Sequence, residues 1–250
     1  MGIEPRKKNI CIVGFAPSSA MLAPYHLLGD EDWEFWGINE LYLMVPHASK
    51  FDKWFQLHMR ADNIDRNPRD PKHKDWLKTC KMPVIIQYAH EEIPTSIAYP
   101  LKEVQKYFGQ NIIKNIDTLD SKEDFNYYTN TISYMIALAI MQKPNLIAVY
   151  GVDMAQEQEF GHQRPSCEFF LGYCAGAGIK LYIPPESDLL KTSFLYGFED
   201  EPDWKKKARA FIDEKEAMLN QVTSQIDQLV PNMHYQRGCR DAAKYFLGQR

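Results

Sequence analysis

Four apolar runs in the sequence stop at small or polar residues: at 14–19, 37–39, 151–153 and 184–188. Each pattern suits a strand that ends in a ligand-facing loop. In "GFAPSS", Gly14 and Ala16 would let a ligand approach backbone N–H groups, and Pro17 sets the turn. Ser18 and Ser19 fall near a helix start, which favours phosphate. The plain alternative is a tight strand-to-helix turn with a serine cap. The spacing is not GxGxxG, so a dinucleotide fingerprint is absent. Asn39 could read a base or ribose with its amide, or simply shape a turn. Gly151 and Asp153, after the apolar "AVY", are candidates for backbone approach and for holding a ribose, with loop ordering as the alternative. His162, in the glycine-flanked "EFGHQRPS", is the candidate general base, because imidazole titrates near neutral pH. His58, at the end of "FQLH", is the second candidate. Arg164 could hold a phosphate, although such an arginine is usually solvated. Tyr127 and Tyr128 could donate to a phosphate, with core packing the ordinary role for one of them.

These residues need a scaffold that brings strand ends together. Residues 10–15 read as a short buried strand, followed by a helix to residue 28 capped by Ser18 or Ser19. Further strands are expected at 33–42, 50–58 and in "MPVIIQY". A helix is expected over 99–109, and 111–124 has the polar composition of a loop. The stretch 130–142, "NTISYMIALAIMQ", is apolar nearly all round and should be a buried helix that begins at Thr131. A strand at 145–155, a helix at 166–178 and a strand at 179–185 complete a β-α-β alternation. Short links of this kind imply a mainly parallel, Rossmann-like sheet with helices on both faces. From 199 onward the chain becomes charged and helical. Phe211, Met218, Val222, Ile226 and Leu229 have near-heptad spacing, and "VPN" suggests a break. The expectation is therefore an α/β domain over 8–198 and an α-helical hairpin over 199–250 that could join copies into a homo-oligomer.

Composition narrows the classes. The 250 residues are 45% hydrophobic and 25% charged, with a net charge of -4. The acidic balance gives no sign of a nucleic-acid surface. Five scattered cysteines without zinc-like spacing fit a reduced compartment. No apolar run reaches the roughly 18 residues of a membrane span. The apolar segment after the basic start is too short for a secretion signal. A soluble cytoplasmic protein is expected.

Taken together, "VGFAPSS", "GINELY", "TISYMIALAIMQKPNLIAVYGVDM", "GHQRPS" and "IKLYIPPESDLL" resemble the bacterial sialyltransferase family of glycosyltransferases, and the related pterin-diphosphokinase-like proteins. The resemblance spans roughly residues 9–195 and rests on block order and spacing. It implies that the first loop and Asn39 contact a nucleotide, and that His162 stands where the family carries its catalytic base. Phe15 replaces the family's asparagine after the first glycine, and only Tyr127 and Tyr128 answer to its phosphate-contacting tyrosine pair. The whole chain also looks like a set of phage-encoded proteins that share "YGVDMA", "HQRP" and "PESDLL", which would place it in a host cytoplasm and implies no activity.

Three functions follow as expectations. The first is a metal-independent glycosyltransferase with a CMP- or similarly activated sugar donor. Gly14 to Ser19 would cradle it, Asn39 and Asp153 would hold base and ribose, Thr131 would contact the donor, and His162 would take the acceptor's proton. No cofactor is then needed. The second is a pyrophosphoryl or nucleotide transferase that uses Mg²⁺ on Asp153 and Asp188. The third is a non-catalytic accessory protein that binds a nucleotide-derived metabolite.

Overall fold

The structure is a computed structural model and describes residues 8–113, 115–118, 125–155 and 159–248. The chain divides into two compact units, Met1–Lys191 and Thr192–Arg250.

In the first unit seven strands form one sheet: β1 (Asn9–Val13), β2 (Trp33–Ile38), β3 (Lys53–Gln56), β4 (Val84–Ile86), β5 (Ser96–Ala98), β6 (Leu146–Tyr150) and β7 (Lys180–Tyr182). Their order is β5-β4-β3-β2-β1-β6-β7. Every neighbouring pair is parallel. Central strands in such a sheet are covered on both faces, so they are continuous apolar runs. Ile10, Cys11, Ile12 and Val13 of β1 are buried without exception. The helices are the single turn α1 (Arg60–Asn63), α2 (His73–Thr79), α3 (Leu101–Gly109), α4 (Thr131–Met141) and α5 (Arg164–Gly176). α4 packs between α3 and α5. Its moment is spread round the helix because nearly all of it is buried, from Thr131 to Ile140.

The strand order matters for function. From β1 the chain steps outward through β2 to β5, then returns to the other side of β1 for β6 and β7. The order reverses between β1 and β6, and parallel α/β sheets bind ligands in the crevice beyond the strand carboxyl ends at such a switch point.

Two expectations change. The segment after the first loop is not an α-helix but two 3-10 turns, Ala20–Leu22 and Tyr25–Leu27, separated by Pro24, which has no N–H to continue a helical ladder. β5 carried no readable signal, since it is three residues long with Ile97 and Ala98 exposed at the sheet edge. The expected loop at 111–124 lies partly outside the described residues.

The second unit is dominated by one helix, α6 (Asp203–Leu247), rather than a hairpin. The expected break at Pro231 does not occur. A proline inside a helix costs about 3 kcal/mol and one hydrogen bond, which a 45-residue helix can absorb. No residue of α6 is buried. Among the described residues no helix is long and apolar enough to cross a membrane.

A candidate ligand cleft at the sheet switch point

A cleft of about 470 Å³ opens beyond the carboxyl ends of β1, β2 and β6. Its walls are residues 14–17 after β1, Ile38 and Asn39 at the end of β2, His58 after β3, residues 129–132 at the start of α4, residues 151–155 after β6, and Gln163.

The floor is a junction of two glycines. The Ala16 N–H donates to the Gly151 carbonyl at 2.7 Å, and the Gly14 N–H to Tyr150 at 2.8 Å. A Cβ on Gly14 would lie 2.5 Å from the Gly151 carbonyl oxygen. Gly151 sits at φ +64 in the left-handed region, and a Cβ there would overlap the Gly14 carbonyl. The space that Gly14 leaves is thus taken by the opposite loop. Both glycines still line the cleft, but their lack of a side chain serves backbone-to-backbone packing. Ser19 belongs to the same junction: it is fully buried, and its Oγ accepts from the Gly151 N–H at 2.8 Å. It caps no helix.

Asn39 is placed by an aromatic plate. Gly37 lies against the Trp54 ring so closely that any Cβ there would overlap it. The Trp54 indole N–H then donates to the Asn39 carbonyl at 2.8 Å. Asn39 has φ +46, a conformation that asparagine tolerates better than most residues. It is 8% exposed, and its Oδ1 is buried with no hydrogen-bond partner. Across the cleft, Asp153 accepts from Ser18 Oγ at 2.6 Å through Oδ2, while its Oδ1 is also buried and unpaired. Buried acceptors of this kind are rarely left empty. Among the described lining residues Asp153 is the single acid.

The third wall is the N-terminus of α4. Asn130 caps it by accepting from the Ser133 N–H at 3.0 Å. The amides of Thr131 and Ile132, which line the cleft, belong to the first turn and have no intrahelical acceptor. The Asn130 amide also donates to the Gln163 carbonyl at 3.0 Å, and Thr129 Oγ1 lies 2.6 Å from Ser166 Oγ. These bonds tie the starts of α4 and α5 together. Thr129, Asn130 and Gln163 were not anticipated as lining residues. An asparagine ahead of an apolar helical run is the signal that would have marked Asn130 as a cap.

The remaining candidates fall elsewhere. His162 is exposed in a π-helical turn, Glu159–Gln163, and is not among the lining residues, although Gln163 is. Arg164 pairs with Glu168 at 2.8 Å and donates to the carbonyls of Asp188 and Lys191 at 2.6 and 3.1 Å. It holds the segment after β7. Tyr127 is exposed. Tyr128 is stacked between Tyr134 and Phe170 with centroids at 4.7 and 5.2 Å, and burial pushes its hydroxyl far above the usual tyrosine range. Asp188 does not line the cleft. Among the described residues no group of three His, Cys, Asp or Glu side chains is disposed to hold a metal ion.

Next to Asn39 a buried polar cluster anchors the end of β2. Glu40 pairs with Asn67, and His73 is fully buried with Nε2 3.1 Å from Gln56 Oε1 and Nδ1 3.1 Å from the Tyr42 hydroxyl. Tyr42 donates onward to Asp70 at 2.5 Å. Burial holds the His73 imidazole below the ordinary histidine value, against the pull of Glu40 and Asp70. The unfolded chain therefore binds a proton that the folded chain refuses. Stability should be full above about pH 6.5 and fall below it by up to about 1.4 kcal/mol per pH unit, until the folded-state value is reached. Urea unfolding between pH 7.5 and 5.5 measures this slope, and His73→Gln should flatten it.

No protein-family model matches the sequence, and no curated protein matches it. Several solved structures are similar. The sialyltransferase CstII from Campylobacter jejuni, in complex with the substrate analogue cytidine-5'-monophosphate, is 16% identical, with 81% of this chain and 99% of that chain covered and a TM-score of 0.43. An apo α-2,3-sialyltransferase from the same organism is 14% identical, covering 86% and 96%, with a TM-score of 0.44. The monofunctional α-2,3-sialyltransferase Cst-I is 10% identical over 87% and 98%, also at 0.44.

Proposed function

We propose that the chain binds a nucleotide-activated sugar in the switch-point cleft and transfers the sugar to an acceptor hydroxyl. The observation that carries this reading is a pair of buried, unpaired acceptors, Asn39 Oδ1 and Asp153 Oδ1, in a cleft that also contains the open amides of α4. Acceptors call for ligand hydroxyl and amino groups, which a nucleoside offers on its ribose and base. Helix-start amides call for an anion, which a phosphate supplies. Asn39 and Asp153 then hold base and ribose, residues 14–17 cover the nucleoside, and Thr131 meets the phosphate. The sequence blocks that resemble sialyltransferases favour CMP as the nucleotide.

In the transfer step the acceptor oxygen bonds to the anomeric carbon as its proton passes to an imidazole. The bond from that carbon to the phosphate oxygen breaks, and the electron pair leaves with the nucleoside monophosphate. We assign the base to His162, one residue from the lining Gln163 and in the family's position. A second reading gives it to His58, because His58 lines the cleft itself.

Thermal unfolding with CMP, UDP and ATP, with and without Mg²⁺, tests the binding half. CMP at a hundredfold excess over its Kd should add about 2.7 kcal/mol without metal. Asn39→Gly, which removes the amide and keeps the left-handed backbone, should lose most of that gain while the unliganded melting temperature changes little. Stabilisation only with Mg²⁺ would favour the phosphoryl-transfer class, and no response to any nucleotide would overturn the proposal.

A further inference from the structure

The α6 helix carries a feature that ligand binding does not use. Nine large apolar side chains between Phe211 and Met233 are each exposed, from 39% at Val230 to 68% at Leu219. At about 100° per residue, they fall within one arc of roughly 120° that also takes in Trp204 and Ala208. Between Trp204 and Met233 Lys215 is the one charge inside the arc; beyond Met233 the same face carries Arg237, Arg240 and Lys244, so the apolar stripe ends there. Pro231 falls on the opposite face, so its missing hydrogen bond lies away from the stripe.

We infer that this stripe is a seam for a second copy of the chain, packed antiparallel and centred near Leu219. Area supports a stable pair: nine side chains at roughly 100 Å² apiece give on the order of 900 Å² per copy, against about 800 Å² per partner in a standard interface. Charge chooses the occupant. Between positions 203 and 233, the length of the stripe, five basic and five acidic side chains cancel, and over the whole of α6 eight basic stand against six acidic. A helix that lies on an anionic membrane has a polar face rich in Lys and Arg instead. Charge also chooses the direction. In a parallel, in-register pair Lys215 would abut its own copy inside the seam, and the basic run 205–209 would lie beside itself. In the antiparallel pair, at 1.5 Å rise per residue, the two Lys215 residues separate by about 12 Å along the axis and the basic runs by about 36 Å. Both distances reach or exceed the Debye length of about 8 Å at physiological salt.

Sedimentation velocity of the full chain tests the inference. The native protein should sediment as a dimer at micromolar concentration, and Leu219→Glu combined with Ile226→Glu should sediment as a monomer with the near-UV spectrum of the α/β unit unchanged. In a Cys239→Ser background, which removes the exposed native thiol, Leu219→Cys should cross-link two copies under mild oxidation and Ile212→Cys should not. A monomeric native protein, efficient cross-linking through Ile212→Cys, or stripe-dependent binding to anionic phospholipid vesicles in place of dimerisation would each overturn it. None of these outcomes depends on what the cleft binds.

Discussion

Replacing His162 with alanine should slow donor turnover by about 10²–10⁴-fold, the usual contribution of a positioned general base. Release of CMP from a CMP-activated sugar, with water as the default acceptor, measures it without knowledge of the natural acceptor. CMP affinity should stay within a few-fold of the native value, since His162 is exposed and contributes no packing. His58→Ala is the necessary companion. If it, rather than His162→Ala, removes the rate, the base is the histidine that lines the cleft. If neither variant slows release, the transfer mechanism fails even where nucleotide binding holds.

Gly151→Ala should cost on the order of 3–5 kcal/mol of folding stability. Part is the left-handed backbone at φ +64, and the larger part is a methyl group driven into the Gly14 carbonyl. The neighbour is backbone at a hydrogen-bonded junction, so it has no rotamer to escape into. A domain with a total of about 5–15 kcal/mol would lose much of its margin. Gly172→Ala is the control: it lies within α5 with open space around it, and should gain up to about 1 kcal/mol from helix propensity. Urea unfolding of both variants decides the matter. A loss below 1 kcal/mol at position 151 would mean that the two loops are free to part, and that the glycines serve a ligand rather than each other.

Much of the fold was legible because a parallel sheet buries its strands on both faces. The runs at 10–13 and 146–150 and the all-round apolar α4 left few alternatives. The cleft was half legible. That strand ends converge is a topological expectation, and it led to Asn39 and Asp153. What their neighbours do was hidden, because the partners are remote in sequence. Ser19 bonds to Gly151, 132 residues away, and Trp54 reaches back to Asn39. Arg164 looked like a phosphate ligand because one sequence cannot reveal the carbonyls of Asp188 and Lys191 beside it. Pro231 misled in the opposite sense. Local rules make it a helix stop, and only the length of the helical run on both sides overrides them.

The contact between Trp54 and Asn39 gives the molecule an optical gauge. The indole that props up the Asn39 wall of the cleft is fully buried, lies beside Phe51 and Trp76 at centroid distances of 5.5 and 4.8 Å, and gives its N–H to the backbone of a cleft residue. Indole emission follows the polarity and hydrogen bonding of that N–H. A ligand that engages the Asn39 amide would pull on the same peptide group, and the emission of Trp54, one of five tryptophans, should shift with it. A nucleotide titrated against that emission would be read with no label added and no product to detect.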